Sequence, residues 1–107
     1  MNYFGSASLP KLPREVGHHP MDGLIYALRH MVAEYVATRQ QAYRPGDVLN
    51  IVCVSGALTE LGRTFHNIAS EYRGRPDASL SVAGQIFEAG NRYYDMAVGG
   101  IEVTTKE

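Results

Sequence analysis

Residues 51–72 carry large apolar side chains at alternating steps of three and four, and this spacing restricts the possible folds most strongly. The members of this stripe are Ile51, Val54, Leu58, Leu61, Phe65, Ile68 and Tyr72. Such steps place successive side chains on one face of an α-helix, in the heptad-like arrangement with which helices pack against each other. The stripe therefore predicts one helix over 47–73, capped by Asp47 and followed by Gly74 as a left-handed residue.

The start of this segment leaves an alternative open. The run from Val48 to Val54 is β-branched and apolar on all sides, so it also fits a buried strand that turns into a helix at Ser55-Gly56. We favour the continuous helix because Ile51 and Val54 stay in phase with the rest of the stripe. A helix that is apolar all round needs cover on more than one side. We therefore expect this seam to be too large for one copy of the chain to hide, and we expect a homo-oligomer.

The remaining segments complete an all-α fold with one domain over residues 1–107, in which three long amphipathic helices form a hairpin or bundle. The predicted segments are an irregular N-terminal arm (1–19), a first helix (20–43), the second helix (47–73), a third helix (77–98) and a short C-terminal tail (99–107). Pro10 and Pro13 keep the arm non-helical, so we expect it to be loose or laid over a neighbour. Pro20 suits a first helical turn, and Asp77 is the expected cap of the third helix.

The third helix has a wide apolar face and a polar face opposite to it. The apolar face comprises Leu80, Ala83, Ile86, Phe87, Gly90, Tyr93, Tyr94, Ala97 and Val98. On the polar face, Glu88 and Arg92 stand four residues apart, a spacing that predicts an ion pair on the helix surface.

Charge and composition exclude several classes of protein. Lys and Arg number 10 and Asp and Glu number 11, so the net charge of −1 argues against a strongly basic nucleic-acid binder. No apolar run reaches the roughly 20 residues that a membrane-spanning helix needs. One cysteine, Cys53, makes neither an internal disulfide nor a cysteine zinc site. The N-terminus lacks the pattern of a signal peptide, and we expect a cytoplasmic protein.

Catalytic motifs are missing from the sequence. It has no Gly-x-Ser-x-Gly, no Gly-x-Gly-x-x-Gly and no phosphate-binding loop, and its carboxylates are scattered. We therefore predict that the protein is not an enzyme and has neither catalytic residues nor a cofactor. A metal-dependent enzyme is a third alternative, in which His30 and Glu34 share a metal with His19 or His66.

The polar face of the first helix is the candidate ligand-binding surface. His19, Asp22, Tyr26, His30 and Glu34 fall in one stripe opposite the apolar side. Histidine and tyrosine are typical of a surface that touches a ligand or partner, whereas Lys and Glu dominate a plain solvated face. The candidate ligand-binding residues are His19, Tyr26, Arg29 and His30.

Part of the chain resembles a family of small phage proteins that sequester cyclic-nucleotide signals of bacterial immune systems. The matching residues, in order, are His18-His19-Pro20, Arg29, Pro45, Glu60 and Asn67-Ile68-Ala69. The resemblance covers a helical hairpin over residues 18–73 and leaves the third helix out. It implies an oligomeric, non-catalytic protein that holds its ligand between subunits.

Two functional hypotheses follow. The first is a small oligomeric binding protein that sequesters a small anionic signal of the nucleotide type. The second is a structural or chaperone-like helical subunit that binds a protein partner through an exposed apolar stripe.

Overall fold

Three packed helices form the described part of the chain, which confirms the predicted all-α fold. A computed structural model describes residues 9–39 and 47–100. After a 3₁₀ turn at Arg14–Val16, the helices are α1 (Asp22–Arg39), α2 (Asp47–Arg73) and α3 (Leu80–Asp95), and α3 runs on into one π-helical turn at Met96–Gly100. The first eight residues of the arm, the predicted end of the first helix at 40–43 and the tail beyond residue 100 lie outside the described residues.

Helix α2 is continuous over Asp47–Arg73, so the alternative of a strand at residues 48–54 is wrong. Its apolar stripe forms the centre of the core together with α3, along which it packs most extensively, and with α1. From Val54 to Tyr72, every member of the stripe is at most 5% exposed within one copy of the chain. The expectation that this seam needs a second subunit is therefore wrong over 54–72, because α1 and α3 cover it. The side chains at 47–53, including those of Ile51 and Cys53, lie outside the described residues.

The first turn of α1 is held by a capping arrangement centred on His19. The His19 backbone N–H donates to the Asp22 carboxylate at 2.9 Å, and the Met21 N–H donates to His19 Nδ1 at 3.0 Å. Reciprocal bonds of this kind satisfy helix N-terminal donors that would otherwise lack partners. Pro20 lies in the turn that precedes α1, two residues before the helix begins at Asp22, so the predicted place of Pro20 in the first helical turn is wrong.

The connection between α2 and α3 differs from the prediction in two details. Ser79, instead of Asp77, caps α3, since its hydroxyl accepts from the Val82 N–H at 3.3 Å. The Asp77 carboxylate instead accepts from the Arg75 guanidinium at 3.2 Å. Gly74 is not left-handed, because bonds that span three residues, such as Gly74 N–H to the Glu71 carbonyl at 3.2 Å, already satisfy the last carbonyls of α2.

The described part of the arm lies on its own chain. Leu9 is 2% exposed, and the Leu9 and Pro10 carbonyls accept hydrogen bonds from Arg29 of α1 at 3.4 Å and from the Tyr93 hydroxyl of α3 at 2.5 Å. Further along, Arg75 donates to the Val16 carbonyl at 3.4 Å. Residues 9–16 are therefore a strap fastened to α1, to α3 and to the α2–α3 connection.

Tyr93 is the buried polar anchor of this strap, and its titration makes the stability of the fold depend on pH. Burial raises the pKa of Tyr93 to about 12, although the hydrogen-bonded Arg29 guanidinium acts in the opposite direction. Between pH 10 and 12 the unfolded chain releases the phenolic proton while the folded chain retains it. The contribution of Tyr93 to stability therefore falls as the pH rises, by up to about 1.4 kcal/mol per unit.

Tyr93→Phe tests this anchor. Near neutral pH we expect the variant to lose about 1–3 kcal/mol of unfolding free energy, because the buried Pro10 carbonyl loses its donor. Above about pH 10 the difference from the unmodified chain should shrink, because only the latter bears the titration penalty. Urea unfolding of both chains across this range measures the difference. A gap that stays constant with pH would contradict the assignment.

Candidate functional site

Two concave surfaces lie on different sides of the bundle. The first, the arm cleft, lies between the arm and α1 and encloses about 490 Å³. It is lined by Lys11, Leu12, Pro13, Arg14, Gly17, Asp22, Ile25, Tyr26 and Arg29. The second, the α2–α3 groove, encloses about 860 Å³. It is lined by His66, Ala69, Ser70, Arg73, Gly74, Leu80, Ala83, Gly84 and Phe87. Both volumes lie in the range of small-molecule sites.

The arm cleft is positively charged. Lys11 and Arg14 of the arm and Arg29 of α1 contribute three cations, and Asp22 is the one carboxylate in its lining. That carboxylate is already engaged, since it accepts from the His19 N–H and lies 3.2 Å from His18 Nδ1. Arg29 reaches the cleft while holding the Leu9 carbonyl, so the fold fixes its position. The remaining charge suits an anionic ligand.

An aromatic surface adjoins these cations. Tyr26 is 68% exposed, and its ring stacks on that of His30 with centroids 6.2 Å apart and planes 12° apart. His30 Nε2 in turn lies 3.7 Å from a Glu34 carboxylate oxygen. The structure thus brings three of the four candidate ligand-binding residues together, namely Tyr26, Arg29 and His30, with two of them in the cleft lining.

His19, the fourth candidate, has other partners and does not line the cleft. Its Nδ1 accepts from the Met21 N–H, so the proton of the neutral ring is on Nε2, which donates to Glu71 Oε1 at 2.7 Å. The ring is 14% exposed. His19 therefore ties the start of α1 to the end of α2, which is a structural role.

In the α2–α3 groove, His66 is held on three sides. Its ring stacks on Phe87 with centroids 4.3 Å apart and planes 11° apart, and Tyr94 lies 5.2 Å away. His66 Nε2 is hydrogen-bonded to Asn91 Oδ1 at 2.9 Å. Beside this ring, a Cβ at Gly90 would overlap the His66 side chain, and a Cβ at Gly62 would lie 3.0 Å from the Tyr94 ring. The two glycines therefore permit the close approach of α2 and α3.

The described part of the chain contains no set of side chains that could bind a metal ion. Among those residues, no three His, Cys, Asp or Glu side chains are placed to hold one ion. His30 and Glu34 make only the pair described above, and His66 is committed to Asn91. Also within the described residues, no helix is both long and apolar enough to cross a membrane.

The structure therefore defines a small three-helix protein, strapped by its own N-terminal arm, with a cationic cleft beneath the strap. No family model, curated protein or solved structure matches the chain.

Lys11 and Arg14 were not among the residues that the sequence nominated. Their signal is the neighbouring prolines, since Lys11 lies between Pro10 and Pro13 and Arg14 directly follows Pro13, and prolines keep this part of the arm extended. The groove residue Phe87 was missed for another reason. Nothing in the spacing of α3 distinguishes an apolar residue that is covered from one that is left outside.

Gly90→Ala tests the close approach of the two helices. We expect a loss of about 1–3 kcal/mol of unfolding free energy, because the added methyl group must displace a ring pinned by Phe87 and Asn91. Gly56→Ala in α2 is the matched control. Its Cβ would meet nothing within 4 Å, so we expect a gain of up to about 1 kcal/mol from helix propensity. Denaturant unfolding measures both, and equal effects would refute the assignment.

His19→Ala tests the structural role of that residue. The variant loses an N-terminal cap and the contact with Glu71, so we expect about 1–2 kcal/mol of destabilisation. Thermal unfolding measures the loss. A fully stable variant would show that these bonds contribute nothing and would reopen His19 as a residue kept for ligand binding.

Proposed function

We propose that the protein is a non-catalytic binding protein that sequesters a small anion of the nucleotide type in the arm cleft. The observation that carries the proposal is the meeting of Lys11, Arg14 and Arg29 in one cleft beside an exposed tyrosine ring. Phosphate is recognised by guanidinium and ammonium groups, and nucleobases stack on aromatic rings. A cleft that offers both fits a ligand with an anionic part and a flat part.

Two features of the cleft support binding without catalysis. Arg29 is fixed by its bond to the arm, whereas Arg14 is exposed and its guanidinium makes no hydrogen bond or ion pair with the described residues. Lys11 and Arg14 are therefore available to a ligand at little cost in lost internal bonds. The cleft lining contains no histidine, cysteine or serine, and its one carboxylate, that of Asp22, already accepts a hydrogen bond from the His19 N–H.

The resemblance to the phage sequestering proteins agrees with this class of ligand. The Arg29 of the resemblance is the one that lines the cleft. His18-His19-Pro20 of the same resemblance instead forms the beginning of α1. We assign the capture of the anion to the residues of the cleft and treat the His-His-Pro segment as its support.

Calorimetric titration with a cyclic dinucleotide, a linear mononucleotide and inorganic phosphate tests this function. We expect a nucleotide to bind more tightly than phosphate alone, because Tyr26 adds stacking to charge. Tyr26→Ala and Arg14→Ala should each weaken nucleotide binding about tenfold, which corresponds to about 1.4 kcal/mol. Rising ionic strength should weaken it further.

Arg92→Ala is the matched control, since this exposed arginine lies on α3 and does not line the cleft. It should leave the affinity unchanged. Failure of all three probes to bind would refute the proposal. So would binding that Arg14→Ala and Arg92→Ala weaken equally, because the effect would then report net charge instead of a site.

A further inference from the structure

Nothing in the described part of one copy of the chain explains the glycine at position 84. It lies inside α3, is exposed, and a Cβ built on it would meet no atom within 4 Å. A glycine inside a helix costs roughly 1 kcal/mol relative to alanine. Gly62 and Gly90 repay this cost by letting α2 and α3 approach each other, but Gly84 faces outward into the α2–α3 groove.

Large apolar side chains flank Gly84 on the same surface. Leu80, one turn earlier, is 76% exposed, and Phe87, one turn later, is 47% exposed. Both were predicted to belong to the apolar face of the third helix, and the bundle leaves them largely uncovered. Between them, the floor of the groove consists of small residues, including Ala69 and Ala83. The same surface therefore carries both protruding side chains and the space to receive them.

The groove carries a cation at one end and a half-exposed aromatic ring at the other. Arg73 lies at the end that holds Leu80, and its guanidinium makes no hydrogen bond or ion pair with any described residue. At the other end, one face of the Phe87 ring is stacked on His66, and the residue as a whole remains about half exposed. An arginine over an aromatic face is attracted by the ring quadrupole.

We propose that the α2–α3 groove is a self-association surface, on which two copies of the chain pack antiparallel around a twofold axis near Gly84. An antiparallel arrangement places Leu80 of one copy against Phe87 of the other and brings Arg73 towards that ring. Contacts across a twofold axis need a surface that is complementary to itself. Protruding side chains, small residues, a cation and an aromatic ring on one surface meet this requirement.

A second copy accounts for the surface better than a small molecule does. Leu80 stands three-quarters exposed at the edge of the groove, so a ligand lying on the floor would leave most of it in water. A helix packed across the groove covers Leu80 and Phe87 together. Because Gly84 has no side chain, the backbone of that helix can approach closely. The inference does not depend on the arm cleft, because the groove and the cleft share no lining residue.

Cysteine cross-linking in a Cys53→Ser background tests the twofold axis. A Gly84→Cys chain should form a disulfide-linked dimer under copper-phenanthroline and air, which take up the two thiol electrons, because residues on a twofold axis lie close to their own copies. Gly56→Cys is the matched control, as another exposed helical glycine whose surroundings are open. It should stay monomeric. Equal rates for the two variants would overturn the proposal.

Mixing tests the orientation of the two copies. Leu80→Cys and Phe87→Cys chains should cross-link to each other when mixed, and each should cross-link poorly alone. Efficient self-linking of Leu80→Cys would overturn the antiparallel arrangement.

Sedimentation equilibrium tests the association without any cross-link. The unmodified chain should be dimeric, and Leu80→Gln, at a side chain that the bundle leaves 76% exposed, should raise the dimer dissociation constant at least tenfold while helix content and unfolding are retained. Val98→Gln, at an apolar residue that is 92% exposed outside the groove lining, should leave it unchanged. An unmodified chain that is monomeric at the highest concentration it tolerates would overturn the proposal.

Discussion

The close approach of α2 and α3 at Gly62 and Gly90 determines where the other parts of the molecule lie. With the two backbones this near, Phe65 of α2 meets Tyr93 of α3 edge to face at 5.2 Å, and both side chains are fully buried. The Tyr93 hydroxyl then extends beyond the core to the Pro10 carbonyl. The strap is fastened at that point, and the arm cleft exists because the strap is fastened. A small change in the distance between α2 and α3 would therefore alter the arm cleft, although neither Gly62 nor Gly90 lies in it.

The helices could be predicted from the sequence because their information is local and periodic. The α2 stripe repeats at the helical period, as Leu58, Leu61 and Phe65 illustrate. These side chains become buried as soon as another helix packs on that face. Capping is less predictable, because several residues near a helix start compete for the same backbone donors. Asp77 is the predicted cap of α3, but its carboxylate pairs with Arg75, and Ser79 caps the helix instead. The choice of cap depends on where the turn places the Arg75 side chain. Residue spacing alone does not predict that position.

The position of the arm depends on contacts between residues that are far apart in the sequence. Tyr93 and Pro10 are 83 residues apart, and Arg75 and Val16 are 59 apart. Prolines in the arm exclude a helix, but they do not indicate which surface an extended segment will cover. For the same reason, the net charge of −1 did not reveal a cationic cleft. Net charge excludes large basic surfaces, whereas a small site needs only a few cations brought together by the fold.

Self-association was first expected from the stripe on α2, and the structure moves the argument to α3. The stripe on α2 is narrow enough for its two neighbouring helices to cover between them. On α3 the apolar residues extend around more of the circumference, and one neighbour cannot cover them all. Ile86 and Tyr93 are fully buried against the bundle, while Leu80 and Phe87 lie on a second side of the same helix. A helix with two apolar sides is stable in water when both are covered. The proposed association therefore rests on this second apolar side of α3, which the other described helices leave largely uncovered, and not on the stripe of α2.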